Sequence, residues 1–192
     1  MAINAYARAA TDRLVLPIAR GLVRVGVTPN WLTFIGLVVT LAGAAVLLAV
    51  DPKVGATVMA VGTCADALDG SVARLRGSVG SFGSFYDSVT DRIADAAILG
   101  AVTWLVRDDP LLFGVAVVAL TGAQVTSYIR AKAEALGWQA TVGIIERPER
   151  LALVILGLWL DVLPIALWLL AIGSLVTIGQ RLHAVLRQAG TT

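Results

Sequence analysis

The sequence predicts an all-α integral membrane protein: six transmembrane helices preceded by an N-terminal amphipathic juxtamembrane helix. Of its 192 residues, 58% are hydrophobic and only 15% are charged, and the mean hydropathy is +0.84. Apolar stretches long enough to cross a bilayer, about 20 residues each, follow one another between short polar segments. Neither an internal repeat nor a low-complexity linker divides the chain, so a single domain over residues 1–192 is predicted.

Prolines and charged residues separate the six predicted spans. A proline at the start of a helix costs little, because the first backbone N–H groups have no partner within the helix. The spans are Trp31 to Val50, about Lys53 to Arg74, about Gly83 to Val106, Pro110 to about Glu134, Pro148 to Leu160, and about Pro164 to Leu186. Residues 29–187 are therefore predicted to form a six-helix bundle.

Residues 1–28 are predicted to form the juxtamembrane helix. Leu14, Ile18, Leu22 and Val25 recur at helical spacing, and the arginines of this segment fall outside that stripe. An amphipathic helix of this kind lies on the inner leaflet of a membrane. The alternative is an ordinary cytosolic helix packed on the bundle.

Lysines and arginines are concentrated in alternate aqueous segments. One set of segments contains only Lys53 and Arg107. The other set contains Arg8, Arg13, Arg20, Arg24, Arg74, Arg76, Arg130, Lys132, Arg147, Arg150, Arg181 and Arg187. Because positive residues are enriched on the cytoplasmic side of a membrane, we expect a multi-pass protein of the plasma membrane with both termini in the cytoplasm.

Four aspartates stand in the second and third predicted spans, where an acidic residue costs about 2.5–3.5 kcal/mol on insertion scales. Asp66 and Asp69 are three residues apart and Asp87 and Asp91 are four apart, so each pair lies on one face of a helix. Carboxylates gathered at one spot repel each other unless a cation neutralises them. Oxygen ligands without histidine or cysteine favour Mg²⁺, with Mn²⁺ also suitable, and we expect two ions at a cytoplasmic site.

These aspartates belong to a longer pattern, Asp-x2-Asp-Gly-x2-Ala-Arg-x8-Gly-x3-Asp-x3-Asp. The chain matches it at Asp66, Asp69, Gly70, Ala73, Arg74, Gly83, Asp87 and Asp91. In this motif the chain resembles the CDP-alcohol phosphatidyltransferases. The resemblance implies a metal-dependent enzyme of phospholipid biosynthesis that transfers a phosphatidyl group from CDP-diacylglycerol to an alcohol and releases CMP.

The resemblance also implies a role for each matched residue. The four aspartates would bind metal, and Asp91 would in addition act as the general base toward the acceptor hydroxyl. Gly70 and Ala73 would let the nucleotide approach closely, and Arg74 would pair with the diphosphate. Asn30 would contact the nucleotide, or else be a helix N-cap. The implied CDP-lipid site is Asn30, Asp66, Asp69, Gly70, Ala73 and Arg74.

A second charged cluster, in the runs 127–134 and 145–150, bears on the acceptor. Arginine guanidinium groups bind phosphate oxygens through paired hydrogen bonds, so this cluster suits an acceptor that carries a phosphate. The alternative is that these positive residues only anchor the helices at the cytoplasmic face of the membrane. The two runs resemble an actinobacterial branch of the same family whose acceptor is inositol 1-phosphate and whose product is a phosphatidylinositol phosphate. The acceptor pocket implied by this resemblance is Ser127, Arg130, Lys132, Arg147, Arg150 and Arg181.

Two alternatives remain open at this point. Glycerol 3-phosphate is also a phosphorylated acceptor, and its use would make the chain a phosphatidylglycerophosphate synthase. A more remote alternative is a non-catalytic divalent-cation transporter lined by aspartates. We expect a homodimer from the family resemblance and no nucleic-acid partner. Asp95, one turn beyond Asp91, is expected to be a buried structural carboxylate paired with Arg92 or with a neighbouring helix.

Overall fold

The computed structural model describes residues 15–77 and 80–190, and for residues 66 and 67 the backbone alone. All regular secondary structure in these ranges is α-helical, as predicted. The helices are α1, described over residues 15–24, α2 (Pro29–Ala49), α3 (Pro52–Arg76), α4 (Ser81–Leu105), α5 (Pro110–Ala135), α6 (Arg147–Trp159) and α7 (Leu163–Ala189). Helices α2 to α7 coincide with the six predicted spans, and each predicted end lies within one helical turn of the observed end.

Capping side chains fix where several helices begin and end. Asp51 accepts hydrogen bonds of 2.8 and 2.9 Å from backbone N–H groups in the first turn of α3. Asp109 accepts two bonds of 3.0 Å from the first turn of α5. These bonds satisfy N–H groups that a helix start leaves unpaired. Helix α3 ends at Gly77, whose φ of 62° is the left-handed conformation that glycine adopts without strain.

Helices α2 and α3 pack closely because glycines line their contact. A Cβ built on Gly55 would lie 2.5 Å from Leu47 Cα, and one built on Gly62 would lie 2.4 Å from Thr40 Oγ1. Small residues at such positions let the backbones of membrane helices approach each other. Helix α2 also packs against α4, so it joins the two helices that carry the aspartates.

The remaining helices pack on one another and on this pair, because α5 contacts both α4 and α7, and α6 contacts both α7 and α3. One apolar core extends through the bundle. It contains Met59 of α3, Ile98 and Val102 of α4, and Leu167 and Leu170 of α7, each at most 1% exposed. Large apolar side chains on the outer surface remain exposed, as expected of helices that face lipid. Helix α4 therefore packs between α2 and α5.

Three of the described helices are long and apolar enough to cross a membrane, namely α2, α5 and α7. Helices α3 and α4 carry the charged motif, and α6 has only 13 residues. Length and composition therefore support a membrane protein with these three candidate spans.

Helix α1 packs on the bundle through Ala19 and Leu22, which contact a small apolar cluster of α2 and α3. Of the predicted amphipathic stripe, Leu22 is packed, Ile18 and Val25 are exposed, and Leu14 lies outside the described residues. In the described part of this helix, some apolar side chains therefore pack on the bundle and others are exposed.

Candidate active site

A cavity of about 780 Å³ lies between α4, α5, α6 and α7. Its wall on α4 includes Asp87 and Asp91, two of the predicted metal ligands. The opposite walls carry five of the predicted acceptor residues: Ser127, Arg130, Arg147, Arg150 and Arg181. The structure thus brings two of the motif's carboxylates, Asp87 and Asp91, and most of the basic cluster to one cavity, which Asp69 does not line.

Lys132 does not line this cavity, and its side chain is exposed. The reason is helical geometry, because residues two apart point about 200° from each other around a helix. Ser127, Arg130 and Glu134 are separated by three and four residues, so they share the face of α5 that turns to the cavity. Lys132 therefore points away from the face of α5 that carries Arg130, and its assignment to the acceptor pocket stays a prediction.

Asp69 lies at the contact between α2 and α3, where the hydroxyl of Thr33 donates a hydrogen bond to its carboxylate. The Thr33 hydroxyl also lies 3.1 Å from the backbone oxygen of Pro29. Because Thr33 belongs to α2, this bond joins the motif's first helix to the helix that also packs on α4. Asp66 precedes Asp69 by three residues within α3, so helical spacing places it on the same side.

The start of α2 lies beside the start of α4. Asn30 Oδ1 would be 3.8 Å from a Cβ built on Gly83. Thr28, and not Asn30, caps α2, since its Oγ1 accepts a bond of 3.4 Å from the backbone N–H of Trp31. The N-cap alternative for Asn30 is therefore wrong, and Asn30 stands next to a motif glycine.

The last turns of α3 present an open surface at Gly70. Among the described residues, a Cβ at this position would meet only Arg74 Nη1, at 3.9 Å. The Arg74 side chain is held by a bond of 3.0 Å from its Nη2 to Ser71 Oγ, and the residue is exposed. A glycine surface flanked by an accessible guanidinium group is a suitable place for a diphosphate to approach the backbone.

Asp91 and Asp95 stand one turn apart on α4 and share arginines. Arg147 Nη1 lies 2.8 Å from Asp91 Oδ1, and Arg147 Nε lies 3.5 Å from Asp95 Oδ1. Arg150 donates to Asp95 Oδ2 at 2.7 Å, and Arg92 Nη2 lies 3.8 and 3.9 Å from the two carboxylates. Asp95 and Arg150 are 2% and 4% exposed, so both charges require partners. The prediction that Asp95 is a buried, paired carboxylate is confirmed.

Arg181 closes the far wall from α7. Its guanidinium group donates to the backbone oxygens of Val142 at 2.8 Å and Thr126 at 2.6 Å, and to Glu146 Oε1 at 3.3 Å. The side chain is only 4% exposed. Arg181 therefore ties the loop before α6 to α5 while it lines the cavity.

The donor atoms of the motif fit a hard divalent cation. Asp69, Asp87 and Asp91 offer carboxylate oxygens, and no histidine or cysteine is among the described residues that line the cavity. Within the described side chains, however, no group of three or more potential ligands is gathered closely enough to hold an ion. Asp69 instead contacts Thr33, and Asp91 contacts Arg147. Each carboxylate has two oxygens, so an ion could bind one oxygen while Thr33 or Arg147 contacts the other.

Thr33 and Glu146 belong to the site, although no sequence motif predicts their contacts with Asp69 and Arg181. Thr33 shares no motif with Asp69, and their contact across 36 residues depends on how α2 and α3 align. The position of Glu146 at the start of α6 could have been predicted, because it stands three residues before Glu149 in a capping box. The capping box predicts where the helix begins, but it does not predict the bond from Arg181 to Glu146.

The chain belongs to the CDP-alcohol phosphatidyltransferase family, whose model matches residues 26–179. It is therefore an enzyme of a family that depends on divalent metal. This membership excludes the alternative of a non-catalytic cation transporter.

Curated relatives and solved structures agree with this membership. The chain is 43% identical to a phosphatidylinositol phosphate synthase of Mycobacterium marinum, over 96% of this chain and 85% of that protein. It is 36% identical to the synthase of the same name from Corynebacterium glutamicum, over 94% and 87%. The crystal structure of the Mycobacterium tuberculosis phosphatidylinositol phosphate synthase with CDP-DAG bound matches with a TM-score of 0.83 and 40% identity, over 90% of this chain and 94% of that one. A structure of that synthase with manganese and citrate matches equally well, with a TM-score of 0.83.

Proposed function

We propose that this chain transfers the phosphatidyl group of CDP-diacylglycerol to inositol 1-phosphate, giving phosphatidylinositol phosphate and CMP. The observation that carries this proposal is that both groups of residues line the same cavity of about 780 Å³. One wall of it carries motif carboxylates, and the other walls carry arginines suited to a phosphate on the acceptor. The names of the relatives agree with a phosphorylated inositol as acceptor.

In this proposal the aspartates Asp66, Asp69, Asp87 and Asp91 hold two divalent ions, Mg²⁺ or Mn²⁺. When bound, the ions would neutralise the diphosphate of the donor and the charge that develops on the leaving CMP. Gly70 and Ala73 leave room for the nucleotide, Arg74 pairs with the diphosphate, and Asn30 contacts the nucleotide from α2. The open surface at Gly70 and the position of Asn30 beside Gly83 support this arrangement.

Asp91 takes the proton from the attacking hydroxyl of the acceptor. It lines the cavity together with the acceptor arginines, so an acceptor bound there would bring a hydroxyl within its reach. A carboxylate that accepts this proton makes the oxygen a better nucleophile toward phosphorus. The contact with Arg147 at 2.8 Å keeps the carboxylate directed into the cavity before substrate arrives.

The acceptor's phosphate lies against Ser127, Arg130, Arg147, Arg150 and Arg181. Arg130 pairs with Glu134 at 2.9 Å and is exposed, so its guanidinium group can turn to a ligand at little cost. Arg150 and Arg181 are almost fully buried and act from beneath the cavity surface. The assignment of Lys132 to the acceptor pocket stays a prediction, and it lacks support because Lys132 does not line the cavity.

We also propose that all six helices α2 to α7 cross the plasma membrane and that α1 lies along its inner leaflet. Both termini and the aspartate site would then face the cytoplasm, in agreement with the distribution of Lys and Arg. Single cysteines in a Cys64→Ser background test this in intact cells. Asp108→Cys should react with an impermeant reagent from outside, whereas Ser78→Cys should not. Outside labelling at position 78 would contradict the orientation. A homodimer is part of the proposal, and light scattering of the detergent-solubilised protein tests it.

The decisive experiment is an acceptor panel with purified protein and CDP-diacylglycerol. We expect CMP release with inositol 1-phosphate that requires Mg²⁺ or Mn²⁺ and is abolished by chelation. Free inositol and glycerol 3-phosphate complete the panel. Turnover of glycerol 3-phosphate in place of inositol 1-phosphate would contradict the proposed acceptor and favour a phosphatidylglycerophosphate synthase.

A further inference from the structure

Asp95 is a buried carboxylate that the proposed reaction does not use. It stands one turn beyond Asp91 on α4 and is 2% exposed. It does not line the large cavity but a void of about 10 Å³ behind it, among Ile98, Leu151 and Val154. A void of this size barely holds one water molecule, so neither substrate reaches this carboxylate.

The carboxylate of Asp95 meets two arginines at the start of α6. It accepts a hydrogen bond of 2.7 Å from Arg150 Nη2, while Arg150 Nη1 bonds to Thr126 Oγ1 at 3.2 Å. Its other oxygen lies 3.5 Å from Arg147 Nε, which is a charge contact and not a hydrogen bond. A guanidinium group is planar, with its donors in a fixed fork, so a carboxylate that attracts the Nε edge influences where the terminal nitrogens point. In Arg147 those nitrogens reach toward Asp91 and the cavity.

Three arginines lie close to the carboxylate of Asp95: Arg92 at 3.9 Å, Arg147 at 3.5 Å and Arg150 at 2.7 Å. All three line the cavity, which suits an anion. Loss of the negative charge of Asp95 would leave the repulsion among these guanidinium groups less compensated, so their directions would change.

We infer that Asp95 is a positioning residue for the phosphate of the acceptor: it holds Arg147 and Arg150 in the directions that a phosphate requires, without contacting the acceptor itself. This inference rests on the proposed function, because it assumes a phosphorylated acceptor in the cavity. The inference assigns Asp95 to the part of the site that binds the acceptor, although Asp95 stands only four residues after the end of the metal-binding motif.

The test compares steady-state kinetics of Asp95→Asn with the wild-type protein for each substrate separately. The amide keeps the size of the side chain but removes the charge that orders the arginines. We expect the KM for inositol 1-phosphate to rise about tenfold or more, while the KM for CDP-diacylglycerol stays within about twofold and kcat falls less than the acceptor KM rises. Thr103→Val is the matched control, since Thr103 is buried on the same helix and its hydroxyl donates to the backbone oxygen of Leu99 in that helix.

A double-mutant cycle separates positioning from a general loss of structure. If Asp95 acts through Arg147, then Asp95→Asn should change the acceptor KM much less in an Arg147→Ala background than in the wild-type protein. If the two substitutions raised the acceptor KM by independent factors, so that the double variant showed their product, the inference would be wrong. Should Asp95→Asn fail to fold, Asp95→Glu keeps the buried charge and displaces the carboxylate by one methylene. Its acceptor KM should rise at least threefold, and a folded Asp95→Glu protein with the wild-type value would overturn the inference.

The two proposals fail in different ways. If the wild-type protein uses inositol 1-phosphate and Asp95→Asn behaves as Thr103→Val does, the inference alone is wrong. If the wild-type protein uses glycerol 3-phosphate instead, the proposed acceptor is wrong, and the same KM comparison with glycerol 3-phosphate still tests Asp95. If the wild-type protein uses only free inositol, no phosphate needs positioning and the inference is wrong too.

Discussion

Arg147 Nη1 lies 2.8 Å from Asp91 Oδ1, so a residue assigned to the acceptor's phosphate directly contacts the residue assigned as the base. The two belong to α6 and α4, which the chain connects only through α5 and two loops. Their contact places the proposed proton acceptor and the proposed phosphate-binding group side by side in the wall of the cavity. An acceptor held there by its phosphate would present a hydroxyl to Asp91 without a large rearrangement.

Asp91→Asn should abolish most turnover while leaving donor binding in place. The amide keeps the shape of the side chain but cannot take the proton, and a general base contributes about 10²–10⁴-fold to rate. The measurement is kcat alongside equilibrium binding of CDP-diacylglycerol. Asp108→Asn is the control, because Asp108 is 87% exposed in the loop after α4. If Asp91→Asn weakened donor binding as severely as turnover, the role of base would be wrong.

Thr33→Val should weaken the response to divalent metal. The substitution keeps the branched shape but removes the hydroxyl that donates to Asp69. Residues that orient a metal ligand typically contribute about 10–100-fold to metal affinity. We expect a shift of about tenfold in the Mg²⁺ concentration for half-maximal activity, and a matching loss in direct Mn²⁺ binding. Thr103→Val, which removes a hydroxyl far from the aspartates, should change neither quantity.

The parts of this protein that follow from neighbouring residues were predictable from sequence. The helices α2 to α7 were predicted because apolar runs and prolines mark their ends, and the aspartate pairs follow from spacing within one helix. The position of Lys132 could also have been predicted, since two residues of separation on α5 turn it away from Arg130.

Contacts between distant segments were not predictable in the same way. The bond from Thr33 to Asp69 requires a particular alignment of α2 with α3, and the bond from Arg181 to Thr126 requires one of α7 with α5. Glycines such as Gly55 make close approach possible, but a sequence does not state which partner residue fills the space. Sequence therefore identified the chemistry of the site, whereas the pairing of its charges came from the packing.

Gly55→Ala should destabilise the protein through the α2–α3 contact. The added methyl group would lie 2.5 Å from the Leu47 backbone, so the helices would have to separate. Overpacking of this kind costs about 1–3 kcal/mol and should lower the thermal midpoint measured in detergent. Gly114→Ala is the control, since its Cβ would meet nothing within 4 Å and alanine is the better helix former. It should leave the midpoint unchanged or raise it. Equal midpoints for the two variants would contradict the close packing.

Arg147→Ala should weaken acceptor binding and spare donor binding. The substitution removes charge-assisted hydrogen bonds worth about 1.5–3 kcal/mol, so the apparent affinity for inositol 1-phosphate should fall about tenfold or more. The KM for CDP-diacylglycerol should stay within about twofold, because Gly70 and Arg74 lie on α3 and are not among the residues that line the cavity with Arg147. Arg107→Ala is the control: Arg107 is 45% exposed and, in the proposed topology, lies on the other side of the membrane.

Free inositol offers the arginines of the cavity no phosphate to bind, so the unmodified protein should use it poorly. The KM for free inositol should also respond little to Arg147→Ala, because the contact with the acceptor's phosphate is never formed with free inositol. The kcat should fall with both acceptors, since the variant also removes the contact with Asp91. A wild-type protein that used inositol and its phosphate equally well would contradict the assignment of the pocket. An Arg147→Ala protein that lost affinity for donor and acceptor alike would also contradict this assignment. The arginine would then support the whole site and not only the part that binds the acceptor.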